Sequence, residues 1–354
     1  GDDYIMSVAA GAESYAVAGF SFSPSFGTLD WLGFGNRGNV DGTVVFYELP
    51  DQPAPLPPSL DMVRTFGGAG ADTFRDVRQV ADGFVAVGTA SDYYEDDPKD
   101  YTGTGDWGGL MHNGVYDGAI VRYDNNGTVV WKKSFGGKGN DFFFQVAETA
   151  DGYIAAGVAE ASSFGTGDLS DLTAMGAIDG LIVKFSPDGT VQWVKNYGGG
   201  INGHVWFNSV MVYSSNIYVA GTASELAFGA GCLADITPRG NNDGIVLKLN
   251  LNGDFLAGNA FGGAGHDQLY SLAAGAGGIA VGGQCPRDSF GNGDLYGYAQ
   301  PAFTTGACLV GMNADCSISW KKAYTDLSGF NQVAALPQGF VTASMETMED
   351  NTQS

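Results

Sequence analysis

Short apolar runs separated by Gly, Asn and Asp recur along the whole chain. In the segment that begins at Asp141 these runs are FFFQVAETA, YIAAGVA, LIVKFS and TVQWVKNY. Runs of this length bounded by turn residues predict β-strands. ADG at 81 and 150 marks the turn between the first two strands, and DNNG at 124 and PDG at 187 mark the turn between the last two. Each segment therefore predicts four antiparallel strands.

The segments form a repeat that is marked by an aromatic residue, in most copies directly before a Gly pair. The markers are Phe66, Phe135, Tyr197, Phe261 and Tyr324, at spacings of 69, 62, 64 and 63 residues. The predicted repeats cover approximately 1–66, 67–135, 136–197, 198–261 and 262–324, with a half repeat over 325–354. A core that grows by addition of such units can form one domain, so we predict a single domain over 1–354.

Several strands are apolar on both faces, as in IYVA at 217 and VVW at 129, and the second strands are rich in Ala and Gly. This pattern is typical of sheets covered by neighbours on both sides. We therefore predict an all-β β-propeller of about six blades, five of four strands and a sixth of two. Five or seven blades are the alternatives, and the rungs of a parallel β-helix are shorter than these repeats. A two-stranded last blade indicates either a short blade or a chain that continues past Ser354.

A loop of regular design follows each of the first five predicted second strands. It starts SFGTLDW at 25, YTGTGDW at 101, SFGTGDL at 163, AFGAGCL at 227 and SFGNGDL at 289. The sixth residue of the motif, directly before the final Trp or Leu, always lies 11 residues before the start of the third strand. Asp168 and Asp179 are one such pair. A constant length predicts a folded loop held by its own hydrogen bonds.

The long loops and the links between repeats are expected at the same end of the sheets, where Asp residues collect. The links carry Asp72, Asp141 and Asp267, and the loops carry Asp30, Asp106, Asp168 and Asp294. Short Asp side chains commonly accept backbone N–H bonds in turns, which is the favoured interpretation. The alternative is Ca²⁺ held by the four loop residues, although no linear calcium-loop signature is present. No other cofactor is predicted.

Aromatic side chains on the same loops are candidates for stacking on sugar rings. The candidates are Trp31, Phe34, Tyr93, Tyr94, Tyr101, Trp107, Tyr296 and Tyr298. Together with Asp72, Asp141 and Asp267 they form the predicted binding set. Packing of the loops is the alternative role for most of the aromatic residues.

The cysteines and histidines do not form a recognisable metal-binding or catalytic motif. Cys285 and Cys308 are predicted to lie on neighbouring antiparallel strands, where a disulfide is geometrically plausible. The three histidines, His112, His204 and His266, occur in different repeats without metal-ligand spacing. No catalytic motif emerges from the sequence.

Charge narrows the range of partners. A formal net charge of -23 repels the phosphates of nucleic acids and anionic membrane surfaces. No run approaches the roughly 18 apolar residues that a membrane helix needs. We therefore expect neither nucleic acid binding nor membrane insertion, and we expect a monomer.

FGGxGxD, ADGxxxxG, DGxIVK and the DxxG…W turn resemble the repeats of bacterial extracellular β-propellers, over nearly the whole chain. That resemblance implies a secreted or cell-surface protein that binds a glycan or a protein without catalysis. The favoured expectation is such a module, with its ligand on the end that carries the long loops. The alternative is a carbohydrate-active enzyme similar to glycoside hydrolases, which would use paired loop carboxylates.

Overall fold

A computed structural model describes residues 3–10, 14–22, 40–48, 60–91, 103–301 and 304–344. The described strands form five four-stranded sheets and one two-stranded sheet, all antiparallel. Within each sheet the strands follow chain order, so each sheet is a meander. The chain is therefore all-β, with the blade plan of a β-propeller, as the sequence predicts. No helix within these ranges is long and apolar enough to cross a membrane.

Contacts divide the chain into two compact units, Gly1–Ala174 with Leu181–Asn196 and Met175–Gly180 with Tyr197–Ser354. The single domain predicted over 1–354 stays a prediction.

Sheets one to three contain the first twelve strands. Sheet one is β1 (Asp3–Ala10), β2 (Ser14–Phe22), β3 (Val40–Glu48) and β4 (Leu60–Phe66). Sheet two is β5 (Thr73–Val80), β6 (Gly83–Ser91), β7 (Tyr116–Asp124) and β8 (Val129–Phe135). Sheet three is β9 (Asp141–Thr149), β10 (Gly152–Glu160), β11 (Ile178–Phe185) and β12 (Val191–Tyr197).

Sheets four to six contain the remaining ten strands. Sheet four is β13 (Val205–Tyr213), β14 (Asn216–Ser224), β15 (Asn242–Leu249) and β16 (Phe255–Phe261). Sheet five is β17 (Gln268–Gly275), β18 (Gly278–Pro286), β19 (Thr305–Met312) and β20 (Ile318–Tyr324). Sheet six is β21 (Phe330–Leu336) and β22 (Gly339–Ser344). The five aromatic repeat markers are the last residues of β4, β8, β12, β16 and β20.

Short 3-10 helices occupy the long loops between the second and third strands of sheets two to five. One follows the Gly of the loop motif in each of these sheets, at Gly105–Trp107, Gly167–Leu169, Gly231–Leu233 and Gly293–Leu295. Another opens the loop in sheets three to five, at Ala161–Ser163, Glu225–Ala227 and Arg287–Ser289. The proline-rich segment ELPDQPAPLPPSL at 48 lies mostly outside the described residues, and so does the acidic stretch SDYYEDDPKDY at 91.

The interior strands are buried on both faces. All nine residues of β6 are buried, and so are the first eight of the nine in β10. Phe74 of β5, Phe84 of β6 and Tyr123 of β7 share one apolar core with residues of sheet one. Val85 and Val87, on the other face of β6, pack with residues of sheet three. Burial on both faces explains why these strands read as continuous apolar runs.

A glycine in each second strand of the four-stranded sheets lies against a bulge in the first strand. The register shifts next to Gly157, between Phe143 and Gln145 of β9. A Cβ atom on Gly157 would lie 1.8 Å from the carbonyl oxygen of Phe142, which no side chain can accommodate. The equivalent glycines are Gly19, Gly88, Gly221 and Gly283. The bulge bends the first strand towards the second, so the small residue is a packing requirement at this position.

In sheets two and four the residue after the bulge, Asp76 or Ser209, accepts a main-chain N–H of the next sheet. The amide of Val146 in β9 donates to Asp76 Oδ2 in β5 at 3.1 Å. The amide of Leu272 in β17 donates to Ser209 Oγ in β13 at 3.0 Å. These bonds fix the spacing between neighbouring sheets within each unit.

We expect Gly157→Ala to lower the free energy of unfolding by about 1–3 kcal/mol, because the added methyl overlaps a main-chain oxygen. Gly277→Ala is the matched control, since Gly277 is exposed in a turn and its Cβ would approach only the edge of Phe340, at 3.4 Å. Urea unfolding of both variants measures the difference. Equal stability of the two variants would contradict the close approach.

Candidate functional site

The long loops are fixed to the corners, defined as residues 67–72, 136–141, 198–204 and 262–267, which link successive sheets. In sheet three the amide of Asp168 donates to Gly136 O at 2.9 Å, and the amide of Gly136 donates back to Asp168 Oδ2 at 3.1 Å. Asp106 and Asp294 make the same two-way contact in sheets two and five, with Gly67 and Gly262. The loops are therefore folded elements, as their constant length predicts.

This contact accounts for three of the four residues considered for Ca²⁺, namely Asp106, Asp168 and Asp294. In each of them a carboxylate oxygen accepts the amide N–H of a corner glycine. Within the described ranges, no group of three or more His, Cys, Asp or Glu side chains is placed to hold a metal ion. Asp30 lies outside the described residues.

The corner aspartates hold the corner itself. Asp141 Oδ2 accepts the amide of Gly137 at 2.7 Å and the hydroxyl of Ser163 at 2.9 Å. Asp267 Oδ2 accepts the amide of Gly263 at 2.8 Å and the hydroxyl of Ser289 at 2.9 Å. Asp72, the third corner aspartate, accepts the amide of Gly68 at 2.7 Å. All three carboxylates are buried, so they are not available to a ligand in this structure.

In sheets two, three and four an aspartate near the start of the third strand closes the loop, a role that the sequence pattern did not reveal. Asp179 accepts the amides of Met175 at 2.8 Å and Gly176 at 2.9 Å. Asp117 and Asp243 accept the amides of the residues three and four positions before them. The constant eleven-residue interval ended on these aspartates, and that regularity was the available signal.

Two buried carboxylates meet at one glycine in these corners. A Cβ on Gly136 would lie 2.5 Å from Asp141 Oδ2 and 2.6 Å from Asp117 Oδ1. A Cβ on Gly262 would lie 2.4 Å from Asp267 Oδ2 and 2.8 Å from Asp243 Oδ1. Only glycine fits between such a pair, which explains the first Gly of the FGG motif in these repeats.

Burial shifts the titration of these carboxyl groups. Loss of hydration raises the pKa of Asp141 to about 7, against the lowering effect of the Gly137 and Ser163 hydrogen bonds. Burial likewise raises the pKa of Asp243 to about 6, and raises the pKa of Asp267. The neighbouring carboxylate adds to the effect in the Asp117–Asp141 and Asp243–Asp267 pairs.

The aromatic residues predicted to bind a ligand differ in their exposure to solvent. Trp107 is wholly buried and donates its indole N–H to Asp72 Oδ1 at 2.8 Å, so the prediction that it stacks on a ligand is wrong. Tyr298 is partly buried and donates its hydroxyl to Lys321 O at 2.9 Å, which packs the loop onto β20. Tyr296 is 79% exposed and remains a candidate. Trp31, Phe34, Tyr93, Tyr94 and Tyr101 lie outside the described residues.

Cys285 and Cys308 lie on the neighbouring strands β18 and β19, but both thiols are free and the predicted disulfide is not formed in this structure. Their register explains this, because Cys285 pairs with Gly306 and Cys308 pairs with Gly283. The two residues are diagonal neighbours within one buried cluster. Burial, and next the contact with Cys308, raises the pKa of the Cys285 thiol.

His112 is the buried histidine of the described chain. Its Nδ1 lies 2.8 Å from Ser134 Oγ and 3.5 Å from Asp117 Oδ2. It therefore belongs to the polar contacts that hold the sheet-two loop on β8. His204 and His266 are exposed at corners.

An open cleft of about 330 Å³ lies on the long loop of sheet five. The described residues that line it are Pro286, Arg287, Asp288, Gln300 and Thr304. The amide of Arg287 donates to Thr304 O at 2.8 Å, and Arg287 Nε approaches Gln300 Oε1 at 3.4 Å. The cleft thus offers a guanidinium, a carboxylate, an amide and a hydroxyl. It was not visible from the sequence because its two sides are 12 or more residues apart in the chain.

Comparison with known proteins gives a likeness of fold alone. No family model and no curated protein sequence matches the chain. Among solved structures, Sqt1 from Chaetomium thermophilum is 11% identical, with a TM-score of 0.43 over 97% of this chain and 66% of that one. Cobalt-substituted Synechocystis ACO is 13% identical, with a TM-score of 0.40 over 94% of this chain and 61% of that one. The chain therefore spans less than two thirds of the solved chains that it resembles.

Because the folded-state pKa values of Asp141, Asp243 and Asp267 are raised, the folded protein binds more protons than the unfolded chain. The contribution of Asp141 and Asp243 to stability is complete below about pH 4 and is lost as the pH rises through about 7 and about 6, respectively. The contribution of Asp267 is lost in the same direction, as the pH rises through its raised pKa. We expect urea unfolding to give a lower free energy of unfolding at about pH 8 than at about pH 5. The difference is roughly 1.4 kcal/mol for each unit by which the folded-state pKa exceeds 5.

Asp141→Asn carries a neutral amide in place of the protonated acid, so we expect a weaker pH dependence over this range. Asp188→Asn is the control, because Asp188 is exposed and the pKa of its carboxyl is lowered by the Ser186 hydroxyl. If both variants keep the wild-type pH dependence, the Asp141 carboxyl is not the group that titrates.

Proposed function

We propose that this protein is a noncatalytic binding module, secreted or displayed on a cell surface, that binds a glycan on the end carrying the long loops. The ligand lies in the sheet-five cleft. This cleft is the observation that carries the proposal, because it is a concave site with several convergent polar side chains.

The chemistry of the cleft suits sugar hydroxyls. Arg287 and Gln300 have planar side chains with several N–H donors, and Asp288 and Thr304 supply oxygen acceptors. Adjacent hydroxyls of a sugar ring both donate and accept hydrogen bonds, so such a set can bind two of them at once. The exposed ring of Tyr296, on the same loop, supplies an apolar face for stacking.

The loop is held in a fixed shape before any ligand arrives. Asp294 contacts the Gly262 corner, and Ser289 donates its hydroxyl to the buried Asp267 at 2.9 Å. A loop fixed in this way loses little conformational entropy on binding. The net charge of -23 disfavours nucleic acids as ligands and is compatible with neutral glycans.

A glycoside hydrolase is the enzymatic alternative. It requires two accessible carboxyl groups on either side of the scissile bond. Among the described residues that line the cleft, Asp288 is the one carboxylate. The buried aspartates Asp141 and Asp267 already accept two hydrogen bonds each on one oxygen. We therefore favour binding over hydrolysis.

A protein ligand is the second candidate, and exposed apolar side chains favour it. Ile201, at the corner before sheet four, is 87% exposed, and Leu226 on the loop of that sheet is 62% exposed. Gly200 lies against the main chain of Leu226, so the two side chains belong to neighbouring segments. Loss of partner binding in Leu226→Asp, with glycan binding unchanged, would support this candidate.

We expect the wild-type protein to bind a subset of an immobilised glycan array, and Arg287→Ala and Gln300→Ala to reduce that binding at least about tenfold, because each removes several donors from the cleft. Leu256→Ala, exposed on β16, is the control and should bind as the wild type does. Thermal unfolding confirms that all variants are folded.

Array binding that is unchanged in both cleft variants would refute the site. Release of reducing sugar from a bound glycan, abolished by Asp288→Asn, would establish the enzyme instead.

A further inference from the structure

The 198–204 corner and its loop carry apolar residues where the 262–267 corner has a buried polar contact. Val205, the first residue of β13, takes the position that Asp267 has one repeat later. Ala227 takes the position of Ser289, the hydroxyl partner of Asp267, because each is the last residue of the 3-10 helix that opens its loop. Val205 and Ala227 are both wholly buried. Apolar side chains therefore replace a carboxylate and a hydroxyl at this corner.

The contacts of the loop tip change in the same way. Cys232 takes the position of Asp294, and its Sγ lies 3.8 Å from Gly198 O. Met175 lies four residues before the aspartate of its third strand, as Arg239 does one repeat later, where Arg239 Nε donates to Asp294 Oδ2 at 3.1 Å. A Cβ on Gly198 would lie 3.0 Å from Met175 Cβ. Sulfur-containing side chains thus replace a charged pair at this corner.

The apolar character of this corner reaches the surface. The chain has seven residues between Tyr197 and Val205, against five between the corresponding residues one repeat later, and the longer segment carries Ile201. Ile201 and Leu226 are mostly exposed, and Met175 is 43% exposed. We call these three side chains the apolar patch. Grouped exposed apolar side chains mark interaction sites more often than single ones do.

The loop that carries Leu226 is acidic. Its segment 225–241 contains Glu225 and Asp235, which are both exposed. The segment has one basic residue, Arg239, and that guanidinium is paired with Asp294. Together with the net charge of -23, this charge distribution attracts basic polypeptides and repels acidic ones.

The size of the apolar patch favours a short segment over a folded surface. Three side chains offer far less area than the roughly 800 Å² per partner that a standard protein interface buries. A second copy of this chain would also bring a further charge of -23 to the contact. A few apolar anchors can nevertheless supply most of the binding energy of a small contact.

We propose that the apolar patch binds a short basic segment of a partner protein, which packs an apolar side chain against Ile201 and Leu226 and directs Lys or Arg towards Glu225. The surface is already formed, because the main chain of Gly200 is so close to Leu226 that a Cβ on Gly200 would overlap the carbonyl oxygen of Leu226. The inference rests on the protein-ligand candidate described above and specifies its partner. It does not depend on the glycan cleft of sheet five.

The probe is a peptide selected from a phage-displayed library of random sequences on the immobilised wild-type protein, and then synthesised with a fluorescein label. We expect the selected sequences to combine Lys or Arg with Leu, Phe or Trp, and the peptide to give a saturable rise in anisotropy. Ile201→Ser and Leu226→Ser should each weaken binding at least about tenfold, because each removes an apolar anchor. Leu256→Ser is the matched control, since Leu256 is exposed on β16 of the same sheet, and it should bind within about twofold of the wild type.

The charge of the partner is tested by salt and by Glu225→Gln, both of which should weaken peptide binding. Thermal unfolding shows which variants are folded, and either patch variant alone decides the result if the other is not. Selected peptides without basic residues, or wild-type affinity in a folded patch variant, overturn the proposal. So does a wild-type dimer in sedimentation that Leu226→Ser dissociates, because a second copy would then occupy the patch. The titration contains no glycan, so a failure of the sheet-five cleft would leave its result unchanged.

Discussion

A buried carboxylate at the corners between sheets fixes where the long loops stand. Asp141 and Asp267 each bind a corner amide and a loop hydroxyl through one oxygen, so a single side chain joins two segments that are more than 20 residues apart. A buried carboxylate without partners would cost several kcal/mol, so these bonds are obligatory for the fold. The long loops of sheets three and five are consequently held in a fixed shape by these carboxylates.

Close contacts between main-chain atoms also determine how the strands pack within the sheets. In the five four-stranded sheets the bulge in the first strand places a carbonyl oxygen against a glycine of the second strand. In sheets two and four the residue after the bulge also accepts a hydrogen bond from the neighbouring sheet. One local irregularity thus sets both the bend of a strand and the spacing between sheets. Sheet six is joined to sheet five by a bond of the same kind, from the amide of Val333 to Ser271 Oγ.

The strand count, the repeat boundaries and the two-stranded last sheet could be predicted from the sequence, because period and turn residues are local signals. Trp107 could not be placed, since its burial depends on Asp72, which precedes it by 35 residues and lies in the corner. Asp179 was read only as the start of a strand, because its bonds to the loop amides are a property of the closed loop. The sheet-five cleft could not be predicted from the sequence for the same reason, because Arg287 and Gln300 come together only when the loop is folded.

The most direct test of the account is the rate of amide hydrogen exchange at the corner glycines. If the buried carboxylates hold the corners, the amides of Gly68, Gly137 and Gly263 should exchange as slowly as those of the interior strands, because each is bound to an aspartate at 2.7–2.8 Å. Exchange at these three amides as fast as in an exposed turn would contradict the central claim.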